Sequence, residues 1–254
     1  MKAKKAFGQH FLEDTLVVNT IIDVFSRNNT TSKTLEVGPG KGVLTEQLLK
    51  TYPKMIAVEA DRDMVAYLTE SLPTLHLIEG DFLKADIVEI MKNEPFAIIG
   101  NFPYNISSQI VFKMIDNYEN IPIMVGMFQK EMAERIIAKP GSKTYGIISI
   151  LAQAYYEGEL VLHIKPDAFN PPPKVDSAVI ILRRKTDNII DYDTQLFKTI
   201  VKTSFNQRRK MLRNTLKPFL TEETLTDKFF ERRPETLSLE EFIQLTHKIK
   251  QNES

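Results

Sequence analysis

The sequence predicts an α/β protein whose mostly parallel sheet carries helices on both faces, followed by a small all-α C-terminal domain. Two observations predict this fold class. From about residue 33 to 184, short apolar β-rich runs alternate with longer helical patterns, which is typical of a parallel sheet. After a polar stretch at residues 185–193, apolar residues recur only at helical spacing. We therefore expect one domain over residues 1–186 and a second over residues 187–254.

The elements of the first domain follow from its apolar spacing. Strands are short apolar runs that end at glycine, proline or charged residues. Helices repeat apolar residues every three or four positions, as Leu44 and Leu48 do. In chain order, we predict strands at 34–37, 54–58, 75–78, 97–100, 123–128, 161–164 and 178–183, and helices at 43–50, 63–71 and 107–117.

Composition excludes several kinds of site and location. No apolar run approaches the roughly 20 residues of a membrane helix, and the basic N-terminus lacks an apolar signal core, so we expect a cytoplasmic protein. The chain has no cysteine, which excludes disulfides, thiolate metal sites and a cysteine nucleophile. Its histidines lack metal-ligand spacing, and we expect no metal. Net charge is zero, so nucleic-acid binding requires a local basic patch.

A glycine-rich turn after the first strand indicates a nucleotide-like cofactor. The run Glu36–Gly42 (EVGPGKG) ends a strand and opens a helix, where glycines let the backbone approach a ligand. Glu59 ends the second strand and can accept hydrogen bonds from both ribose hydroxyls. Asp81 and Phe82 follow the third strand, where they can hold an adenine amine and ring. A dinucleotide site is the main alternative, but its third glycine would come one residue later, and no second nucleotide half follows.

The tetrapeptide Asn101-Phe102-Pro103-Tyr104 follows the fourth strand, where open α/β sheets place their chemistry. It combines an amide, a proline-stiffened turn and an aromatic ring, which together can hold a flat base that carries an amino group. The alternative is an ordinary turn with a surface tyrosine, because Asn and Pro are common turn residues.

Five stretches together resemble one family, the KsgA (RsmA) 16S rRNA adenine dimethyltransferases, which are related to the Erm 23S enzymes. They occur in the family's order from residue 5 to about residue 220, and the basic run of the last stretch resembles the small-subunit branch. The stretches are FGQHFL (7–12), EVGPG (36–40), NFPYNIS (101–107), FNPPPKVDSAV (169–179) and FNQRRKMLRN (205–214). Phe102 stands where the family commonly has leucine, and His10 where it commonly has asparagine.

The resemblance implies a Rossmann-like class I methyltransferase domain that uses S-adenosylmethionine. In the implied roles, the Asn101 side-chain oxygen and the Phe102 carbonyl bind the amine hydrogens, Pro103 fixes the backbone, and Tyr104 stacks on the base. Phe169 is the expected partner on the base's other face, with a core ring as its alternative. The implied cofactor-binding residues are His10, Leu12, Glu36, Gly38, Gly40, Glu59, Asp81, Phe82 and Asn101.

The resemblance also implies the substrate, two adjacent adenines of the 3′-terminal hairpin of 16S rRNA, in the 30S subunit or its precursor. Candidate RNA-binding residues are Lys4, Lys5, Arg208, Arg209, Lys210 and Arg213. A solvated helix face is the alternative for the arginine run. We expect a monomer that does not bind membranes. Two other functions stay open: an Erm-like 23S methyltransferase, and a non-catalytic assembly checkpoint or transcription factor, which would have lost the tetrapeptide or Glu59.

Overall fold

The computed structural model describes residues 10–186 and 191–252, which group into two compact units. The first, here called the sheet unit, contains residues 10–134 and 156–184. The second, the helical unit, contains residues 135–155 and the described residues from 185 onward. Among the described residues, no helix combines the length and apolar character needed to cross a bilayer.

The sheet unit is built on seven strands in the order β4-β3-β2-β5-β6-β9-β7. The first five run parallel, and β9 is antiparallel to both of its neighbours. A separate two-stranded sheet pairs β1 with β8, which the sequence pattern did not predict. The strands are β1 (Phe11–Leu12), β2 (Thr34–Val37), β3 (Ile56–Glu59), β4 (His76–Glu79), β5 (Ala97–Asn101), β6 (Ile123–Gln129), β7 (Tyr156–Ile164), β8 (Phe169–Asn170) and β9 (Ser177–Arg184).

The predicted fold class is confirmed. All seven strands of the main sheet lie where apolar runs predicted them, with ends that differ by a few residues and with β7 starting five residues early. Every residue of β2 is buried, so both faces of this strand are covered, as in a parallel sheet flanked by helices. Strand order reverses between β2 and β5, which makes the carboxyl ends of these two strands the natural ligand crevice.

Three helices of the sheet unit, α1, α3 and α4, begin at an aspartate side-chain cap. Asp14 Oδ1 accepts hydrogen bonds from Leu16 N at 2.8 Å and Val17 N at 3.2 Å and so caps α1, a helix that is absent from the predicted elements. Asp61 caps α3 in the same way. The helices are α1 (Thr15–Asn28), α2 (Val43–Thr51), α3 (Arg62–Ser71), α4 (Ile87–Ile90) and α5 (Ser107–Asp116), with α6 (Lys130–Ile136) at the boundary between the units.

The helical unit has the all-α character that the apolar spacing predicted. Its buried residues include Phe197 and Ile200 of α8 and Phe242 of α11. Residues 135–155 group with this unit, although the expected division at residue 186 placed them in the first domain. Their partners are distant in sequence, so local spacing carried no sign of the grouping. The helices are α7 (Ile147–Gln153), α8 (Thr194–Asn206), α9 (Leu212–Thr215), α10 (Glu222–Leu225) and α11 (Leu239–Asn252).

Candidate active site

A cavity of about 300 Å³ opens at the carboxyl ends of β2, β3 and β5, where the strand order reverses. This volume lies at the lower end of the about 300–1,000 Å³ typical of small-molecule sites. The cavity brings together every residue that was predicted to bind the cofactor and the whole tetrapeptide. These lining residues are His10, Leu12, Glu36, Gly38, Gly40, Glu59, Asp81, Phe82, Asn101, Phe102, Pro103 and Tyr104.

The glycine turn forms one wall of the cavity. Gly38 and Gly40 have φ angles of 67° and 57°, a left-handed conformation that glycine adopts without a steric cost. A Cβ at Gly40 would lie 3.4 Å from the Phe11 ring, in van der Waals contact with it, and the left-handed φ would strain any other residue at this position. The turn therefore exposes bare backbone to the cavity, as a cofactor loop requires.

Glu59 fastens this turn to the end of β3. Its Oε2 accepts a hydrogen bond from Gly40 N at 3.0 Å, and its Oε1 accepts from Ala60 N and Asp61 N, both at 2.9 Å. A carboxylate offers about four acceptor sites. Three of these sites are occupied, so one acceptor site on Oε2 remains for a ribose hydroxyl, whereas we had expected Glu59 to accept from both ribose hydroxyls. Glu59 thus both shapes the cofactor loop and presents an acceptor to the cavity.

Glu36 is the most deeply buried acid in the cavity wall, with 1% of its surface exposed. Burial raises its pKa to about 8; a 2.7 Å hydrogen bond from Thr45 Oγ1 opposes the rise, and the nearby Glu59 adds to it. Among the described residues, no lysine or arginine forms an ion pair with Glu36 or Glu59. A cationic ligand would favour the ionised form of these two buried carboxyl groups, so they fit S-adenosylmethionine, which carries a sulfonium and an ammonium.

Asp81 and Phe82 line the cavity just after the end of β4. Asp81 Oδ1 accepts a hydrogen bond from Leu83 N at 2.9 Å, which orients the carboxylate. Phe82 is buried, and Lys113 Nζ lies 5.6 Å from the centre of its ring. A fixed carboxylate beside an apolar ring is suited to an adenine, as the sequence predicted. Within the described chain, no group of three His, Cys, Asp or Glu side chains is placed to hold a metal ion.

Asn101 is the last residue of β5, and its side chain is held in one orientation. Its Nδ2 donates a hydrogen bond to the His10 carbonyl oxygen at 3.0 Å, which leaves the amide oxygen as the free atom. Phe102 N donates to the Met127 carbonyl oxygen at 3.1 Å, while no described residue donates to the Phe102 carbonyl oxygen. Two neighbouring oxygens are therefore available as acceptors, which is the arrangement predicted for binding an amine.

The Phe102 ring is buried beneath this site and packs against glycines of two strands. A Cβ at Gly100 would lie 2.7 Å from the ring, and one at Gly126 would clash with it. The ring also meets Phe128 edge-on, with 5.1 Å between centroids. Neither glycine was among the predicted site residues, although an isolated glycine inside a buried strand is a known sign of close packing. They set the position of the Phe102 backbone and hence of its carbonyl.

Tyr104 is half-buried, and one side of its ring is already in contact. The His10 ring stacks on it with 5.5 Å between centroids and 26° between planes. His10 Nδ1 in turn donates to the Pro171 carbonyl oxygen at 2.8 Å. Tyr104 Oη and Ser177 Oγ lie 2.6 Å apart in a hydrogen bond that no sequence pattern predicted. These contacts fix the ring for stacking and leave its other side for a base.

Phe169 is not brought to the cavity. It pairs with Leu12 in the two-stranded sheet, is 4% exposed, and belongs to the hydrophobic core that includes Val17 and Ile21. In this arrangement Phe169 does not face a base opposite Tyr104, and the core-ring alternative describes it better. Packing of β8 against β1, which local spacing did not reveal, accounts for the difference.

The predicted RNA-binding residues differ in their surroundings. Lys4 and Lys5 lie outside the described residues. In the helical unit, Arg209 and Lys210 are exposed, whereas Arg213 lies 3.3 Å from Glu231 in an ion pair. Arg208 is half-buried and donates hydrogen bonds to two backbone carbonyl oxygens. The run is therefore not one uniform solvated face.

Similar solved structures support the fold. The dimethyladenosine transferase from Plasmodium falciparum superimposes with a TM-score of 0.80 at 24% identity, covering 96% of this chain and 98% of that one. The 23S rRNA methyltransferase ErmE superimposes with a TM-score of 0.73 at 24% identity, covering 94% and 99%. At this level of identity both likenesses concern the architecture.

Sequence comparison extends the likeness to the family. The protein named "Ribosomal RNA small subunit methyltransferase A" in Bacteroides thetaiotaomicron is 51% identical over 255 residues, which cover 99% of this chain and 95% of that protein. The protein of the same name in Flavobacterium johnsoniae is 50% identical, covering 98% and 96%. The profile of the family described as "Ribosomal RNA adenine dimethylase" matches residues 1–249. Together with the cofactor cavity and the tetrapeptide beside it, these matches show that the chain belongs to the ribosomal RNA adenine dimethylase family.

Proposed function

We propose that this chain uses S-adenosylmethionine to dimethylate the N6 amines of two adjacent adenines in the 3′-terminal hairpin of 16S rRNA. The substrate is the 30S subunit or its precursor. Small-subunit relatives about half identical along the whole chain support this substrate over 23S RNA, for which the likeness to ErmE is one of architecture. The observation that carries the reaction type is the pair of free oxygens at Asn101 and Phe102 in the wall of the cofactor cavity.

The residues of this chain supply alignment and acceptors and need supply no strong base. An adenine amine is a weak nucleophile, because its lone pair is delocalised into the ring. The Asn101 oxygen and the Phe102 carbonyl accept its two hydrogens in the first transfer, and one of them accepts the remaining hydrogen in the second. Both favour the pyramidal nitrogen that attack requires, and each transfer releases one N6 proton to solvent. Pro103 fixes the turn that aims the carbonyl. When bound, S-adenosylmethionine supplies a methyl group on a sulfonium centre, which is already a strong electrophile.

Tyr104 supplies the surface on which the adenine rests. Stacking of a base on an aromatic ring contributes about 1–3 kcal/mol, comparable with the few kcal/mol needed to unstack a nucleotide. The hydrogen bond with Ser177 and the stacked His10 hold the ring in place, so little of this energy is lost to ordering it. Burial raises the pKa of Tyr104, so its hydroxyl stays protonated at neutral pH.

Other features of the proposal follow from the substrate. Because the proposed substrate is a ribosomal subunit, the reaction takes place in the cytoplasm. Exposed cations of the chain contact the RNA backbone. The protein acts as a monomer in this proposal, since one chain carries every residue of the cavity. Sedimentation at working concentration tests this, and a stable dimer would contradict it.

The decisive experiment compares methyl transfer to three substrates: 30S particles from a strain without this modification, 30S particles that already carry it, and 23S RNA. We expect transfer to unmethylated 30S particles alone, with N6-dimethyladenosine in 3′-terminal 16S fragments by mass spectrometry. Activity on 23S RNA alone would refute the proposal in favour of the Erm-like function. Binding to 30S particles without any transfer would favour the non-catalytic assembly factor.

A further inference from the structure

A loop of the helical unit that carries two lysines is fastened to the segment after α8. Arg208 Nη1 donates a hydrogen bond to the Lys143 carbonyl oxygen at 2.7 Å, and Nη2 donates to the Ser142 carbonyl oxygen at 3.1 Å. Gly141 N donates to the Glu235 carbonyl oxygen at 2.7 Å. Hydrogen bonds to two distant parts of the chain therefore hold the loop of residues 139–144 in place.

Aromatic packing anchors the end of the same loop. Tyr145 is buried and meets Phe205 of α8 edge-on, with 6.4 Å between ring centroids. Phe205 in turn stacks on Phe242 of α11 at 6.2 Å. Because the loop is already ordered, a ligand that binds it loses little conformational entropy.

The cations of this region fall into two groups. Lys139 and Lys143 are exposed, as are Arg209 and Lys210, and no ion pair within residues 10–186 and 191–252 involves any of the four. Arg208 is half-buried, and its planar fork is engaged by two carbonyl oxygens. A guanidinium used in this way is not free for the two-pronged contact that arginine makes with phosphate.

We propose that Lys139 and Lys143 act with Arg209 and Lys210 as one basic surface for the phosphate backbone of folded RNA. Arg208 is a positioning residue that holds the loop beside this surface. Arg208 lies next to Arg209 in the chain and donates to the Ser142 and Lys143 carbonyl oxygens. Ser142 N in turn donates to the Lys139 carbonyl oxygen at 3.2 Å, so both lysines belong to the segment that Arg208 holds. The inference rests on the proposed function, because the RNA is the ribosomal substrate.

The first test measures binding of the double variant Lys139→Ala/Lys143→Ala to unmethylated 30S particles across a salt series. Each phosphate contact contributes about 0.7–0.9 to the slope of log K against log salt, so we expect the slope to flatten by about 1.5. At about 0.15 M salt this corresponds to affinity roughly 15- to 30-fold weaker. The affinity for S-adenosylmethionine should stay at the wild-type value.

The matched control is Lys54→Ala, an exposed lysine in the turn before β3, at the sheet edge opposite the cofactor cavity. It should leave the slope unchanged. If the salt slope of the Lys139→Ala/Lys143→Ala variant equals the slopes of wild type and of Lys54→Ala, the inference is overturned while the proposed function stands. Wild-type protein that neither binds nor methylates 30S particles would overturn the proposed function, and this inference with it.

The role of Arg208 is tested by a double-mutant cycle. Arg208→Lys keeps the positive charge but removes the planar guanidinium, whose two nitrogens donate to the two carbonyl oxygens. We expect it to weaken 30S binding in the wild-type background and to have no further effect in the Lys139→Ala/Lys143→Ala background. Losses that add in full would show that Arg208 contacts RNA itself and would overturn the positioning role. Equal Tm values for these variants confirm that each is folded.

Discussion

The cavity of the sheet unit and the basic surface of the helical unit handle charge in opposite ways. In the cavity, Glu36 and Glu59 are buried, and their effects depend on short contacts of fixed geometry. In the basic surface, Arg209, Lys210 and Lys143 are exposed and act through fields that salt screens within about 8–10 Å. The two regions should therefore separate in experiment: changes in the cavity should alter turnover and pH dependence, and changes in the basic surface should alter affinity and salt dependence.

The largest expected effect comes from Asn101→Ala. The variant loses one of the two acceptors for the adenine amine, and loss of one such polar group costs about 10²–10³-fold in rate. We expect methylation of 30S particles to fall by at least this factor in single-turnover assays. The affinity for S-adenosylmethionine, measured by calorimetry, should survive and fall by a much smaller factor than the rate.

The same variant tests the separation of the two regions. Its affinity for 30S particles and the salt dependence of that affinity should match those of wild type. Wild-type turnover would refute the amine-acceptor role of Asn101. A changed salt slope would show that the cavity and the basic surface do not act separately.

A smaller effect is expected from the double variant Arg209→Ala/Lys210→Ala. Loss of two phosphate contacts should weaken 30S binding roughly 15- to 30-fold at about 0.15 M salt and flatten the salt slope by about 1.5. The rate at saturating 30S should not change, because neither residue lines the cavity. Filter binding across a salt series, combined with single-turnover rates, measures both quantities.

Arg213→Ala is the matched comparison for this variant. Arg213 lies in the same run, but its guanidinium is 3.3 Å from the Glu231 carboxylate, which offsets its charge. We expect its effect on the salt slope to be less than half that of the double variant. An effect of Arg213→Ala as large as that of the exposed pair would contradict the distinction between paired and free cations.

Local patterns predicted the fold well because they depend on neighbouring residues. Each strand of the main sheet follows from a short apolar run, and β2 and β5 pair in parallel, as the alternation of strands and helices implies. Helix α1 could have been predicted too, since Asp14 before an apolar repeat is a helix-start pattern. The grouping of residues 135–155 with the helical unit could not, because it depends on contacts with residues far along the chain.

The candidate site divides in the same way. The residues at strand ends, from Glu36 to Tyr104, converge on one cavity because parallel strands bring their carboxyl ends to one edge. The position of Phe169 could not be predicted, because the sequence around an aromatic residue beside prolines is the same whether its ring faces a ligand or the core. The hydrogen bonds from Arg208 to Ser142 and Lys143 span 66 and 65 residues, and no local pattern encodes them.

The last expected effect concerns Glu36 and the pH dependence of folding stability. Its pKa is 4.5 as an unperturbed side chain and about 8 in the folded protein, chiefly because burial disfavours the carboxylate. Between these values the folded state holds a proton that the unfolded state has released, so stability falls as pH rises. The slope is at most about 1.4 kcal/mol per pH unit, a factor of about ten in the folding equilibrium.

Glu36→Gln removes this titration while keeping an acceptor for Thr45 Oγ1. We measure the free energy of unfolding of both proteins by urea titration at pH 5.5, 6.5 and 7.5. We expect the variant to become more stable relative to wild type as pH rises. Because Glu36 is buried, the gain should persist between 0.1 and 0.5 M salt, unlike the effects of the basic surface. Parallel stability curves for the two proteins would show that Glu36 ionises normally in the folded state. If 0.5 M salt abolished the stability difference between the variant and wild type, the Glu36 carboxylate would be in contact with solvent. The contrast between a buried charge in the cavity and exposed charges in the basic surface would then be wrong.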